Sequence, residues 1–147
     1  MVISYGKPEI EKAFLIGLAC GKVRRSEVAE SLDELAQLTR SAGASVIGQR
    51  IQTRPSPDRA YYIGRGLVDE IKQALSESGG NCVIFDDPLS AAQQRNLEDA
   101  ISAKVINRHI LILDIFASRA RSAAARLQVE LAQLEYTLPR LTGAWVH

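Results

Sequence analysis

Gly17-Leu18-Ala19-Cys20-Gly21-Lys22-Val23 is the stretch nearest to a phosphate-binding loop. Such a loop needs G-x-x-x-x-G-K-S/T, so that backbone N–H groups wrap the phosphates and a hydroxyl reaches magnesium. Here one residue is missing between the glycines and Val23 replaces the hydroxyl, so the stretch reads as a plain loop. Gly64-Arg65-Gly66 opens like a dinucleotide loop, but Asp69 at the third glycine position would set a carboxylate against the pyrophosphate. What remains at Gly64, Arg65 and Gly66 is either a weak backbone site for a nucleotide at a helix start or a tight turn using glycine's freedom. Asp86-Asp87 could ligate magnesium. Adjacent side chains diverge, however, and Asp87 before Pro88 serves a turn. His109 and His147 are too few for a zinc site with Cys20 and Cys82. Without a C-x-x-C, those cysteines read as reduced, partly buried thiols. No serine or cysteine stands out beside a histidine, so the expectation is no catalytic residue and no metal ligand.

Charge is unevenly spread. From Lys104 onward there are six basic residues against three acids, whereas the first 103 residues hold 12 basic and 14 acidic groups. After Arg108 the basic residues are Arg119, Arg121, Arg126 and Arg140. Guanidinium groups suit bidentate phosphate contacts, so these four are the candidate nucleic-acid-binding residues. A solvated helix face is the other reading of the same arginines.

The elements that must position these groups follow from apolar spacing. Ala13 to Ala19 is an apolar run that fits a strand buried on both faces. Val28, Leu32, Leu35 and Leu38 recur at helical spacing behind Ser26, the expected N-cap. A second strand is expected over 44–52, a proline-broken loop over 54–58, and a helix carrying Leu67, Ile71, Ala74 and Leu75 that stops at Ser78-Gly79-Gly80. Cys82 to Phe85 is the next strand, Ser90 caps a helix over 91–102, and Lys104 to Asn107 is the fourth strand. Alternating strands and helices with short connections call for a parallel sheet with helices on its faces. Ligands of such sheets sit beyond the carboxyl ends of the strands, here near residues 20–25, 54–58, 86–90 and 107–109.

From Ile110 to Leu141 apolar residues recur three and four apart, through Leu113, Ala117, Ala120, Ala124, Leu127, Leu131, Leu134 and Leu138. That is the seam of a long helix made to pack along another, about 48 Å if continuous. Pro139 is expected to end it near Thr137, leaving 138–147 as the start of a hairpin tip. No apolar run reaches ~18 residues, so no membrane span is expected. The first twelve residues are too acidic and too weakly apolar for a signal peptide.

Three stretches together resemble one family. Tyr62-Ile63-Gly64-Arg65-Gly66 is similar to an element of the HflX ribosome-associated GTPases. So are Val83 to Ser90 with Gln93 to Glu98, and Leu111 to Ala117 with Leu127 to Tyr136 and Leu138 to Leu141. Asn107, His109 and Ser122 to Ala125 stand where the family more often has Asp, Thr and a Thr-x-Glu-Gly-like stretch.

The resemblance implies an α/β fold: a small parallel four-stranded sheet flanked by helices over 1–109, with a long C-terminal helical arm over 110–147. The arm would be the first half of a helical hairpin, followed in the family by a Ras-like G domain. It implies binding to the large ribosomal subunit and its RNA, and rescue or splitting of ribosomes under stress, in the cytoplasm. GTP and magnesium are expected only in the G domain, which residues 1–147 lack, so no cofactor and no GTPase activity are expected of this chain. Two alternatives stand beside this: a homodimerising module paired through the C-terminal helix, and a weak ATP-binding domain.

Overall fold

The apolar run at the N-terminal end becomes the centre of the sheet. The computed structural model describes residues 10–141. β1 (Lys12–Cys20), β2 (Ser45–Arg54), β3 (Cys82–Phe85) and β4 (Lys104–Asn107) form one parallel sheet in the order β2-β1-β3-β4. Its helices are α1 (Arg25–Ser41), α2 (Arg65–Ser78), α3 (Ala91–Ile101), α4 (Arg108–Arg119) and α5 (Ala123–Leu141). The expected α/β class and parallel four-stranded sheet are found.

Side-chain alternation along each strand divides the core in two. Ala13, Leu15 and Ala19 of β1 and Ile84 of β3 face α1 and α4, packing with Leu32, Leu35, Ile110 and Leu111. Phe14, Ile16 and Leu18 face the other way, with Val83 and Phe85, against Val68 and Ile71 of α2 and Leu97 of α3. Gly17 lets α1 lie close to the sheet, since a Cβ there would fall 2.5 Å from Val28 Cγ1. β2 forms one edge and is only partly buried.

Helix ends follow local chemistry. Ser90 and Gln93 close a reciprocal capping box on α3, at 3.0 and 2.9 Å. Gly79 ends α2 in the left-handed conformation, φ 75°. Ser26, expected as the cap of α1, lies inside its first turn instead. The helix begins at Arg25, with the Arg24 carbonyl accepting from Glu27 and Val28 N–H at 3.0 and 3.1 Å.

The expected single arm is two helices. The chain breaks at Ala120, whose ψ of 124° is extended. Ser122 then caps a new helix, its Oγ accepting Ala125 N–H at 3.0 Å. α5 doubles back along α4: Gln133 donates to Asp114 (3.3 Å), Asn107 to Tyr136 Oη (2.6 Å), and Arg140 to the Leu89 carbonyl (2.9 Å). The expected seam is therefore split. Ile110 and Leu113 are in the core, while Leu127, Leu131, Leu134 and Leu138 are exposed.

Pro139 does not end the helix, which runs through it to Leu141. Beside it the Arg140 side chain donates to the Tyr136 carbonyl at 3.2 Å. The hairpin-tip expectation from 142 onward, and the signal-peptide reading over 1–9, lie outside the described residues.

Candidate functional site

Strand order places the crevice. The connections after β1 and β3 leave toward opposite faces of the sheet, which opens a gap between neighbouring strand ends. A cleft of about 380 Å³ lies there, lined by Cys20, Glu27, Ser31, Tyr62, Asp86 and Asp87 among others. A second, of about 290 Å³, continues past Asp86 and Asp87 to Asn107, Arg108 and His109. These are the strand-end loops singled out by the alternating pattern.

The carboxylates in this crevice are engaged by protein donors. Arg108 donates from Nε to Asp86 Oδ1 at 2.7 Å, and its Nη2 lies 2.7 Å from the same oxygen in an ion pair. Nη2 also donates to the Ser31 carbonyl (2.7 Å) and hydroxyl (3.0 Å), and Nη1 lies 3.7 Å from Glu34. One guanidinium at the start of α4 thus ties the end of β3 to α1. Tyr62 donates its hydroxyl to Asp87 at 2.8 Å and sets its ring edge-on to Phe85. Burial raises the Asp87 carboxyl above its ordinary value, partly offset by that hydrogen bond. Burial, then the bond to Asp87, raises the Tyr62 hydroxyl as well. Asp86 and Asp87 point to different partners, as adjacent residues should. Cys82 is fully buried, and that burial pushes its thiol up to about 12, so it stays protonated and unreactive.

Gly64, Arg65 and Gly66 form the start of α2, but Gly64 has φ −72° and uses no glycine-only conformation. A Cβ there would sit 3.0 Å from Arg54 Nη1 and 3.2 Å from Gln52 Nε2, so a larger residue would push these side-chain ends aside. The left-handed residue of this turn is Tyr62, φ 67°. It is held by a backbone bridge to Asp58 and by its hydroxyl on Asp87. Gly64 N–H donates to Gln52 Oε1 at 2.7 Å, where a phosphate oxygen would otherwise sit.

The four arginines separate. Arg119, Arg121 and Arg126 surround the α4–α5 turn and are exposed. Arg119 reaches Ser41 Oγ at 2.7 Å, and Arg126 reaches the Ala120 carbonyl at 3.4 Å. Arg140 lies about 21 Å further along α5. Its guanidinium stacks 3.7 Å above the Tyr136 ring and bonds to Leu89. Arg108 and the Asn107–Tyr136 contact were missed by the sequence reading, because each joins residues far apart in the chain.

The chain belongs to the family described as GTP-binding GTPase N-terminal, which matches residues 29–117, and residues 119–147 match the GTP-binding GTPase Middle Region. The HflX resemblance holds. GTPase HflX of Caldanaerobacter subterraneus is 45% identical over 133 residues, covering 90% of this chain and 30% of that protein. GTPase HflX of Flavobacterium psychrophilum is 41% identical over 137 residues, covering 93% of this chain and 33% of that protein. The chain thus spans about a third of the length of these curated relatives. A GTP-binding protein from Sulfolobus solfataricus, crystallised with GDP, shares the fold at TM-score 0.70 and 25% identity. That match covers 92% of this chain and 39% of the other. No helix among the described residues is long and apolar enough to cross a membrane.

Proposed function

We propose that this chain is the ribosome- and RNA-binding regulatory region of an HflX-type GTPase. That protein would act in the cytoplasm on the large ribosomal subunit, and rescue or split ribosomes under stress. Residues 1–109 would act as the α/β domain and 110–147 as the beginning of a helical hairpin. A G domain elsewhere in the full-length protein would hold GTP and magnesium. The observation that carries the RNA reading is the gathering of Arg119, Arg121 and Arg126, all exposed, at one turn. Phosphate contacts there would be sequence-independent and salt-sensitive. Arg140 supports the reading less, since its guanidinium already serves Tyr136 and Leu89.

Co-sedimentation with purified large ribosomal subunits tests it. The chain should pellet with them at low salt, and changing Arg121 and Arg126 to Gln should weaken this. Pelleting that ignores both salt and these changes would refute the reading. The isolated chain should release no phosphate from GTP.

A second reading has its own observation. Leu127, Leu131, Leu134 and Leu138 form an exposed stripe on α5, and leaving such side chains in water costs about 1.5–3 kcal/mol each relative to full burial. Two copies pairing through α5 would cover the stripe. Light scattering showing a strict monomer at high concentration would remove this reading. Weak ATP binding at Gly64 to Gly66 is tested by equilibrium dialysis, where no retention at millimolar nucleotide removes it.

A further inference from the structure

We propose that the carboxyl rim on the β1–β2 side of the sheet is a binding ledge for single-stranded RNA, separate from the arginines of the α4–α5 turn. Residues 20–27 and 54–66 hold six basic residues (Lys22, Arg24, Arg25, Arg54, Arg59, Arg65) against two acids, Glu27 and Asp58. The rest of the chain holds twelve basic residues and fifteen acids. A nearly neutral total therefore conceals a concentrated positive patch.

The fold joins the two segments. Cys20 is the register partner of Arg54, and its Sγ lies 3.5 Å from the Pro55 carbonyl. Arg25 crosses from α1 to the end of β2, donating to Thr53 Oγ1 at 3.0 Å and the Ile51 carbonyl at 3.2 Å. Arg54 lies against Gly64 at the start of α2, beside Arg65.

The positive charge is only partly offset: Asp86 and Asp87 line the cleft beside Val23 and Tyr62, but Asp86 is engaged by Arg108 and Asp87 by the Tyr62 hydroxyl. Among the described residues only Arg24 of the six has a carboxylate partner, Glu27 at 3.5 Å, and both side chains are exposed, where such pairs are weak. Asp58 turns its carboxylate to the N–H groups of Ala60 and Tyr61, at 2.9 and 2.8 Å. The ledge also carries a flat surface. The Arg65 guanidinium stacks 4.8 Å from the Tyr61 ring centre and reaches its hydroxyl at 3.2 Å. A basic track with an aromatic and a guanidinium plane suits a polyanion whose bases are splayed out, which is single-stranded RNA. An anionic bilayer fits less well, because Val23 is the one large apolar side chain exposed on the ledge and gives little to insert.

The choice of RNA rests on the function proposed above; the ledge does not depend on the turn arginines. Fluorescence anisotropy with a labelled oligouridine, titrated over a range of salt, tests it. Lys22→Gln, Arg24→Gln and Arg59→Gln together should weaken binding about tenfold or more and flatten the log–log salt slope by about 2. Tyr61→Leu should weaken binding about fivefold or more with the slope unchanged. Should the triple variant lose its fold by circular dichroism, Arg59→Gln alone should flatten the slope by about 0.7.

Wild-type affinity and slope in the ledge variants overturn the proposal. If RNA binding is instead lost only on changing Arg119, Arg121 and Arg126 to Gln, the ledge fails and the proposed function stands. No RNA binding by the unaltered chain overturns both. Ledge-dependent binding to phosphatidylserine vesicles with RNA binding unaffected replaces RNA by a membrane and overturns the proposal.

Discussion

α4 and α5 carry one continuous apolar spacing in the sequence and are held by opposite means in the structure. α4 presents Ile110, Leu111, Leu113 and Ile115 to the core. α5 presents Gln133, Tyr136 and Arg140 to the body of the protein, adds only Ala132 and the Tyr136 ring to the edge of the core, and keeps its leucines outside. Its docking also includes both side-chain polar atoms that are buried without a hydrogen bond among the described residues, Thr137 Oγ1 and Arg140 Nε. Apolar burial is tolerant of direction and strong in sum. A polar seam is specific and weak, because each bond replaces one to water. α4 is therefore part of the domain's stability, and α5 is a helix positioned by it.

Leu111→Ala should have the largest effect, about 2–5 kcal/mol in urea denaturation, while Leu131→Ala stays within about 0.5 kcal/mol. Similar losses at the two positions would break the contrast. Arg108→Ala should come next. It strands Asp86, whose side chain is 7% exposed, but Arg108 itself is 24% exposed. The loss should then be about 2–3 kcal/mol, at or below the lower end for fully buried pairs. Full retention of stability would mean that water replaces the guanidinium.

Tyr136→Phe removes one hydrogen bond of the polar seam, worth about 1 kcal/mol. Amide exchange should quicken in α5 and not in α4; equal quickening in both would show that they unfold as one unit.

The smallest effect is a pH dependence. Burial raises the Asp87 carboxyl, so the folded chain holds that proton more tightly than the unfolded chain. The resulting stabilisation is full below the unfolded value of about 4 and is lost as pH rises through the folded one. Asp87→Asn has no such proton. Its urea midpoint should fall less than the unaltered chain's between about pH 4 and about pH 7. Glu98, raised by burial too, keeps part of the slope in both.

Elements governed by local chemistry were legible. The apolar run of β1, the cap at Ser90, and Gly79 after α2 each act within a few residues. The break at Ala120 was legible in principle, since Ser122 is an N-cap residue, but the three-four leucine spacing runs through it in phase. Pro139 was read by its interior penalty, but the helix runs on through it to Leu141. Arg140 looked like a free cation because its acceptor, the Leu89 carbonyl, is 51 positions away in the chain. The link from Arg108 to Ser31 spans 77 positions. Neither has a signature in local spacing. The six basic residues of the ledge were all visible, but in two segments that only the pairing of β1 with β2 unites.

The strand order has a consequence for synthesis on the ribosome. Of the four strands β1 emerges first, and it has neighbours on both sides, β2 and β3. α1 and β2 can join it early. The partners of Phe14 and Ile16, namely Val83 and Phe85, leave the exit tunnel much later. Until they do, one hydrogen-bonding edge of β1 stays open in the nascent chain, the kind of surface that chaperones bind and that aggregates when they do not.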